Sequence, residues 1–426
     1  MNVYPQRVAL HNEIHARPPE AMTAPLAISH IVMLITAAER DASREHLCAI
    51  LRDHHLPPPD AQTTHVRVNV AGVRLRWELH TEFVSWTFSR PLAGAAPGGA
   101  APTTALQEVP QEWLSVLPGQ WLAGLHLWVL AAEENSDRPP VPGLLAEGSL
   151  VGSRVADGLA EVYTDFALHG DGFSRMVLLA GRDEISPRRL GRLVQRLLEI
   201  DTYRMAGLLG LPVARETGAA LAVAERELSA LAGAIRGAGR EQEPQLLDSL
   251  TKLASGVESQ YAASHARFSA SGAYFELVDR RLDDIRETRI PGLQTIAEFI
   301  DRRLSPARAT CDWAARRQDA LSQRVSRISN LLRTRVEIEQ QQSSQALLAT
   351  MNRRQGLQLR LQATVEGLSV AAITYYIVGL VSYLAKGAHV LGWPWSAEST
   401  AAVAIPIVAL SVWWSLRRLH HTVFAQ

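Results

Sequence analysis

Cysteine is almost missing: the 426-residue chain has two, Cys48 and Cys311, far apart and outside any CxxC spacing. That excludes a disulfide-stapled scaffold and a thiolate zinc site, and it is the usage expected of a reducing compartment. Net charge is missing too, since 43 Lys and Arg balance 43 Asp and Glu. Without a basic field to hold phosphates, a nucleic-acid partner is not expected. Walker loop, GxSxG and dinucleotide fingerprint are all absent, so the sequence advertises no enzyme. The first thirty residues carry charges and several prolines in place of an apolar core with a small-residue cleavage site. A signal peptide is therefore not expected, and the long N-terminal part is expected to stay in the cytoplasm.

What the chain does have is a very apolar tail. Residues 367–385, GLSVAAITYYIVGLVSYLA, run nineteen residues without a charge, about 28 Å of helix and close to the thickness of a bilayer's hydrocarbon core. After the loop KGAHVLGWPWSAES, residues 400–416 add seventeen more, with Pro406 inside; membrane helices tolerate such prolines. Arg353, Arg354 and Arg360 precede the first run, Arg417 and Arg418 follow the second, and the loop between carries Lys386 as its one cation of that kind. Positive flanks mark the cytoplasmic side, so both termini are expected there, in the bacterial inner membrane. Trp393 and Trp395 on the outer side, and Trp413 and Trp414 on the inner side, suit the two interfaces.

The body before the tail mixes strand and helix signals. HIVMLIT reads as a buried strand, AERDASREHLCAILRD as an amphipathic helix, and residues 65–90 as two or three period-two strands divided at Gly72 and at 80–82. PLAGAAPGGAAPTT interrupts the pattern, WLAGLHLWVLAA restores it, and residues 159–181 read as a hairpin turning at 169–172. Ser186 and Pro187 open a helix, and three long helical segments follow, about 213–238, 243–290 and 292–362, with a break expected near Ser305 and Pro306. In the last, Leu321, Val325, Ile328, Leu332 and Val336 form an apolar stripe, which EQQQSSQ then interrupts. The expected fold is α+β: a mixed-sheet domain over 1–183, a long α-helical stalk over 184–362, and a two-helix transmembrane hairpin over 363–426.

HNEIHARPP at 11–19, VYTDFALHGDGFSR at 162–175, GRLVQRLLEIDTYR at 191–204 and LQATVEGLSVAAITYY at 361–376 resemble a bacterial family of unknown function described only as membrane-anchored proteins. The resemblance covers nearly the whole chain and brings no activity with it. In layout alone the chain is similar to CorA-type magnesium channels, which implies a pentamer-like homo-oligomer whose first span lines a pore. That family's Gly-Met-Asn motif is replaced here by YLAKGAH at 383–389. A ring of Lys386 ammonium groups would repel hydrated magnesium, with Glu398 as partial offset.

Ser369, Ala372, Tyr376, Gly379, Tyr383 and Lys386 recur at steps of three and four and are the candidate pore lining. The alternative is a packing face, since small residues let membrane helices approach. His11, Glu13 and His15 share spacing that could hold a divalent metal ion, the one cofactor considered, against structural or capping roles. His54 and His55, beside PPPD, read as surface loop. Asp165, His169 and Asp171 fall around the expected turn, where turn chemistry explains them better than acid/base catalysis. The functional expectation is a homo-oligomeric, CorA-like channel or transport protein for an inorganic ion, in contact with membrane lipid. The alternative is a non-conducting, membrane-anchored scaffold or regulator binding a protein partner.

Overall fold

The computed structural model describes residues 3–5, 7–13, 19–60, 62–92, 102–131, 143–181, 185–239, 241–390, 392 and 394–423. It divides into two compact units, Met1–Ser329 and Asn330–Gln426. The first unit opens with a short helix, α1 (Arg7–Glu13), followed by β1 (Leu26–Leu34), the apolar run of the sequence. Helix α2 (Ala37–Asp53) begins with a capping box: Thr36 accepts from the Glu39 amide while Glu39 reaches back to the Thr36 amide.

The period-two stretch becomes three strands, β2 (His65–Val70), β3 (Val73–Leu79) and β4 (Phe83–Pro91). Ala71 and Gly72 both take positive φ at the β2–β3 turn, the geometry that matches strand twist in a two-residue hairpin. Then come a short helix, α3 (Gln111–Ser115), and β5 (Gln120–Ala131), β6 (Val151–Val155), β7 (Ala160–Thr164) and β8 (Ser174–Ala180). A two-residue strand, β9 (Thr288–Arg289), completes a nine-stranded sheet of order β2-β3-β4-β1-β5-β8-β7-β6-β9. β5 and β8 run parallel and the other neighbours antiparallel, so the mixed α+β character is as the sequence implies.

Both faces of this sheet are covered. Leu125, Leu127, Met176 and Leu178 pack against Leu193, Leu197, Phe275 and Ile300 on one side, whereas Trp77, Trp86, Phe88 and Trp128 pack with Leu47 and Leu51 of α2 on the other. The covering helices are α4 (Pro187–Leu208), α6 (Glu243–Ile285) and the start of α7 (Ile296–Val390). α5 (Gly210–Gly237) lies between α4 and α6 in sequence and packs on α6. α8 (Ala397–Val423) ends the described chain.

Two helix boundaries differ from the sequence expectation. The segment expected to stay helical to 290 stops at Ile285, where Arg286 takes the left-handed conformation and the chain joins the sheet as β9. No break occurs at Pro306, which sits inside α7; proline removes one amide donor, and a helix whose Ile300, Leu304 and Ala307 are buried keeps its path without that bond. The Leu321–Val336 stripe behaves as read: Leu321, Val325 and Leu332 are buried. The stretch 93–101 lies outside the described residues.

In the second unit, residues 340–365 of α7 are exposed on every side. Among the described residues, the end of α7 and α8 are the two helices long and apolar enough to cross a membrane, and their most apolar windows are almost bare of covering protein. The chain between them is shorter than expected, because α7 continues to Val390 and α8 starts at Ala397.

β1 is an interior strand between β4 and β5, and its polar residues are paired across it. His30 Nδ1 lies 2.8 Å from Thr87 Oγ1 and Nε2 lies 3.0 Å from Thr202 Oγ1. Thr202 already donates to the Leu198 carbonyl, so its oxygen accepts from Nε2–H and Thr87 donates to Nδ1. Burial, with the positive charge of Arg76 and the neighbouring His80, pushes the His30 imidazole down to about 3. Its folded value lies below the unfolded value of about 6.5, so stability is intact above that and is lost as pH falls toward 3. The loss is about 1.4 kcal/mol per pH unit in that window. Denaturant midpoints measured from pH 7 to pH 4 should fall accordingly, and His30→Gln, which keeps a donor and an acceptor but takes no proton, should flatten the decline; an equal decline in the variant would contradict the assignment.

Candidate functional site

Three places combine polar chemistry with burial or with an unpartnered surface. The first lies where β7 ends and β8 begins. Asp165, its side chain fully buried, accepts from the Ala146 amide at 2.9 Å, the Ala167 amide at 3.0 Å and the His169 ring at 2.9 Å. The intervening Phe166 holds φ +51°, and its ring stacks on Phe299 at 4.6 Å while Arg204 sits over it at 5.2 Å. Strain of that kind persists where surrounding contacts over-determine the backbone.

Beside it, His126 Nδ1 is 2.8 Å from Ser29 Oγ, and His126 Nε2 is 3.9 Å from Asp171 Oδ2. Asp171 accepts from the Phe173 amide and pairs with Arg175 at 3.4 Å, and the His126 ring stacks on Phe173 at 4.1 Å. Burial, only partly opposed by Asp171 and reinforced by Arg175, pushes His126 down to about 4. Burial works against ionisation of Asp171 as well, yet the Phe173 amide, His126 and Arg175 hold it below the ordinary carboxylate range.

Serine, histidine and aspartate in one line invite a nucleophilic reading. Ser29 has no exposed surface, however, and a nucleophile must be reachable by substrate. Among the described residues no serine, threonine or cysteine is hydrogen-bonded to His169. The group ties the 144–146 loop, the 165–173 connection and β1 together. The turn expected at 169–172 is present, with the Gly172 amide donating to the His169 carbonyl at 2.9 Å, inside a nine-residue connection between Thr164 and Ser174.

The second place is the sheet face beneath α4. Arg74 and Arg76 of β3, with Thr87 and Ser89 of β4, line a cleft with Glu20, Met22, Val194, Gln195 and Leu198. Its free space is about 10 Å³, room for about one water. Arg76 pairs with Glu78 at 3.2 Å, and both side chains are more than nine-tenths buried. Arg74 pairs with Glu20. Gly191 of α4 makes room for the chain at Glu20, because a Cβ there would fall 1.6 Å from the Glu20 carbonyl oxygen. Arg74 and Arg76 stand two apart on β3 and so share one face of the sheet; that α4 covers this face is not a local property of the sequence.

The third is the bare apolar section of α7. Of the expected stripe, Ser369 and Gly379 are half-buried, whereas Ala372, Tyr376, Tyr383 and Lys386 are exposed. Lys386 Nζ lies 5.7 Å from the Tyr383 ring centre. The half-buried face is a different one, running through Val370, Thr374, Val378, Val381, Ser382 and Ala388, with Ala385 buried. His11 and Glu13 lie on α1, His11 exposed, and His15 lies outside the described residues. Among the described residues no group of three or more His, Cys, Asp or Glu is placed to hold a metal ion. His54 caps the end of α2, and His55 beyond it takes a positive φ.

If Asp165 serves as the anchor of two loops, Asp165→Ala strands three donors and should cost about 3 kcal/mol. His169→Ala leaves the two amide bonds intact and should cost about 1 kcal/mol. Denaturant titration of both variants checks the order; equal losses would contradict it.

Neither the curated proteins nor the solved structures compared with the chain give a match. A family model does match, over residues 2–423, and its description is protein of unknown function (DUF3422). With nearly every residue covered, from α1 to the end of α8, the chain belongs to that family.

Proposed function

We propose that this is a homo-oligomeric integral protein of the bacterial inner membrane, in which the α+β unit senses a cytoplasmic signal and α7 carries the response to a channel-like two-helix hairpin. The observation that carries the reading is the unpartnered length of α7. Between 340 and 365 it is exposed all round while presenting Leu347, Leu348, Met351, Leu357, Leu359 and Leu361 to solvent. Helices in water draw most of their stability from a packed face, and a second copy of the same helix supplies one.

The apolar run of α7 makes a similar demand. Tyr376 stands at the middle of residues 367–385 and is 75% exposed. A hydroxyl facing hydrocarbon without a partner is costly, and neighbouring copies or a wet path would satisfy it. Arg353, Arg354, Arg360 and Arg418 flank the two helices, against Lys386 and Glu398 near the connection, which supports cytoplasmic termini. A ring of Lys386 at the outer mouth favours an inorganic anion over magnesium.

The mass of the detergent-solubilised particle should be a multiple of the chain, and liposomes carrying it should pass a small ion. Lys386→Glu should invert the charge preference, and Tyr376→Phe should change the flux. A monomeric particle would contradict the oligomer. An oligomer silent to every ion leaves the non-conducting scaffold, a reading favoured by the absence of charge within either apolar run.

A further inference from the structure

The cleft beneath α4 holds a feature that neither the core nor the membrane hairpin requires. On a sheet face that elsewhere packs Leu125, Leu127 and Met176 against helices, β3 contributes Arg74 and Arg76 and β4 contributes Thr87 and Ser89. The Nε of Arg76 is buried without a hydrogen-bond partner, although the guanidinium end of the same side chain pairs with Glu78. A buried donor on a charged group left unmet is expensive, and the guanidinium fork is shaped for carboxylate or phosphate oxygens. Arg67 stands opposite Arg76 on β2; burial and the Arg76 charge push its guanidinium below the ordinary range, with Glu20 and Glu78 opposing, so three arginines here face two glutamates.

The cleft is closed by the chain's own acid. Glu20, its side chain only 10% exposed, pairs with Arg74. The backbone that presents it is pressed onto α4 at Gly191 and held by the Met22 amide donating to the Pro187 carbonyl at 2.9 Å. We propose that this cleft is a binding site for a small oxyanion, a phosphate or carboxylate group, with the Glu20 carboxylate occupying the ligand's place in the empty state. Entry of the ligand displaces the Glu20 side chain from Arg74, and Arg74, Arg76 Nε and the Ser89 hydroxyl then receive the oxyanion, while the Thr87 proton stays with His30 Nδ1. Such exchange gives the α+β unit two states distinguished by where Glu20 lies. The site stands on its own geometry and does not depend on the membrane reading.

Calorimetric titration of the full detergent-solubilised chain with inorganic phosphate, and in parallel with acetate, tests the proposal. Glu20→Gln keeps the shape of the plug and removes its charge, so it should bind the oxyanion about tenfold more tightly than the wild type. Arg74→Gln alters an exposed side chain and should weaken binding about tenfold or more; preference for phosphate or for acetate identifies the group the natural ligand carries. Saturable binding that Glu20→Gln tightens and Arg74→Gln weakens is the expected result. Absence of saturable binding in both wild type and Glu20→Gln, or binding insensitive to both substitutions, overturns it.

Discussion

Apolar surface has to leave water, and this chain meets that constraint in two different ways. In the first unit it does so internally: a nine-stranded sheet is covered on one face by α2 and on the other by α4, α6 and the start of α7. At about 25 cal/mol per Å² of buried apolar surface, side chains as large as Trp77, Trp86 and Phe275, all fully buried, dominate the stability of that unit. In the second unit the same chemistry is left unanswered within one chain, because Leu368, Leu380, Leu384, Ile407 and Leu410 remain more than half exposed. Lipid and neighbouring copies are the two environments that answer it, and the functional proposal follows from that contrast.

Burying a sheet on both faces raises a second demand, the satisfaction of every polar group it carries. β1 meets it by pairing Ser29 with His126 on one face and His30 with Thr87 and Thr202 on the other. Both imidazoles are thereby held neutral, since burial pushes each well below its ordinary value. The Arg76 guanidinium, paired at one end and unmet at Nε, is one place where the demand is left open. Other buried atoms share that state, Trp86 Nε1 and Asp201 Oδ2 among them; the Arg76 cleft differs in setting such a donor beside free space and a second arginine, Arg74.

Local pattern carried much of this fold into the sequence. The alternation of HVRVNV and FVSWTFSR, the Ala71-Gly72 turn and the Leu321–Leu332 stripe each fixed an element because period and partner lie within the segment itself. What local pattern left out is non-local. β9 has two residues and no periodicity, and it exists only because Ser153 and Arg154 of β6 offer a free sheet edge. Pro306 reads as a helix breaker by propensity, yet burial on both sides of it decides otherwise. The same holds for the candidate sites. Asp165 and His169 are four residues apart and could be singled out together, whereas Ser29 and His126 are separated by 97 residues and only the sheet register brings them into contact. Glu20 gave no signal of its own; its role comes from Gly191, whose missing side chain lets the two segments touch.

In the proposed arrangement the C-terminal helices lie in lipid while the arginines that flank them stay on the side of synthesis. Single cysteines placed at Trp395 and at Arg353, in a chain with Cys48 and Cys311 replaced by serine, measure this in intact cells with an impermeant thiol reagent. Labelling at 395 with none at 353 until the cells are opened is the predicted result. Labelling at 353 from outside, or recovery of the unlabelled protein in the soluble fraction, would contradict it.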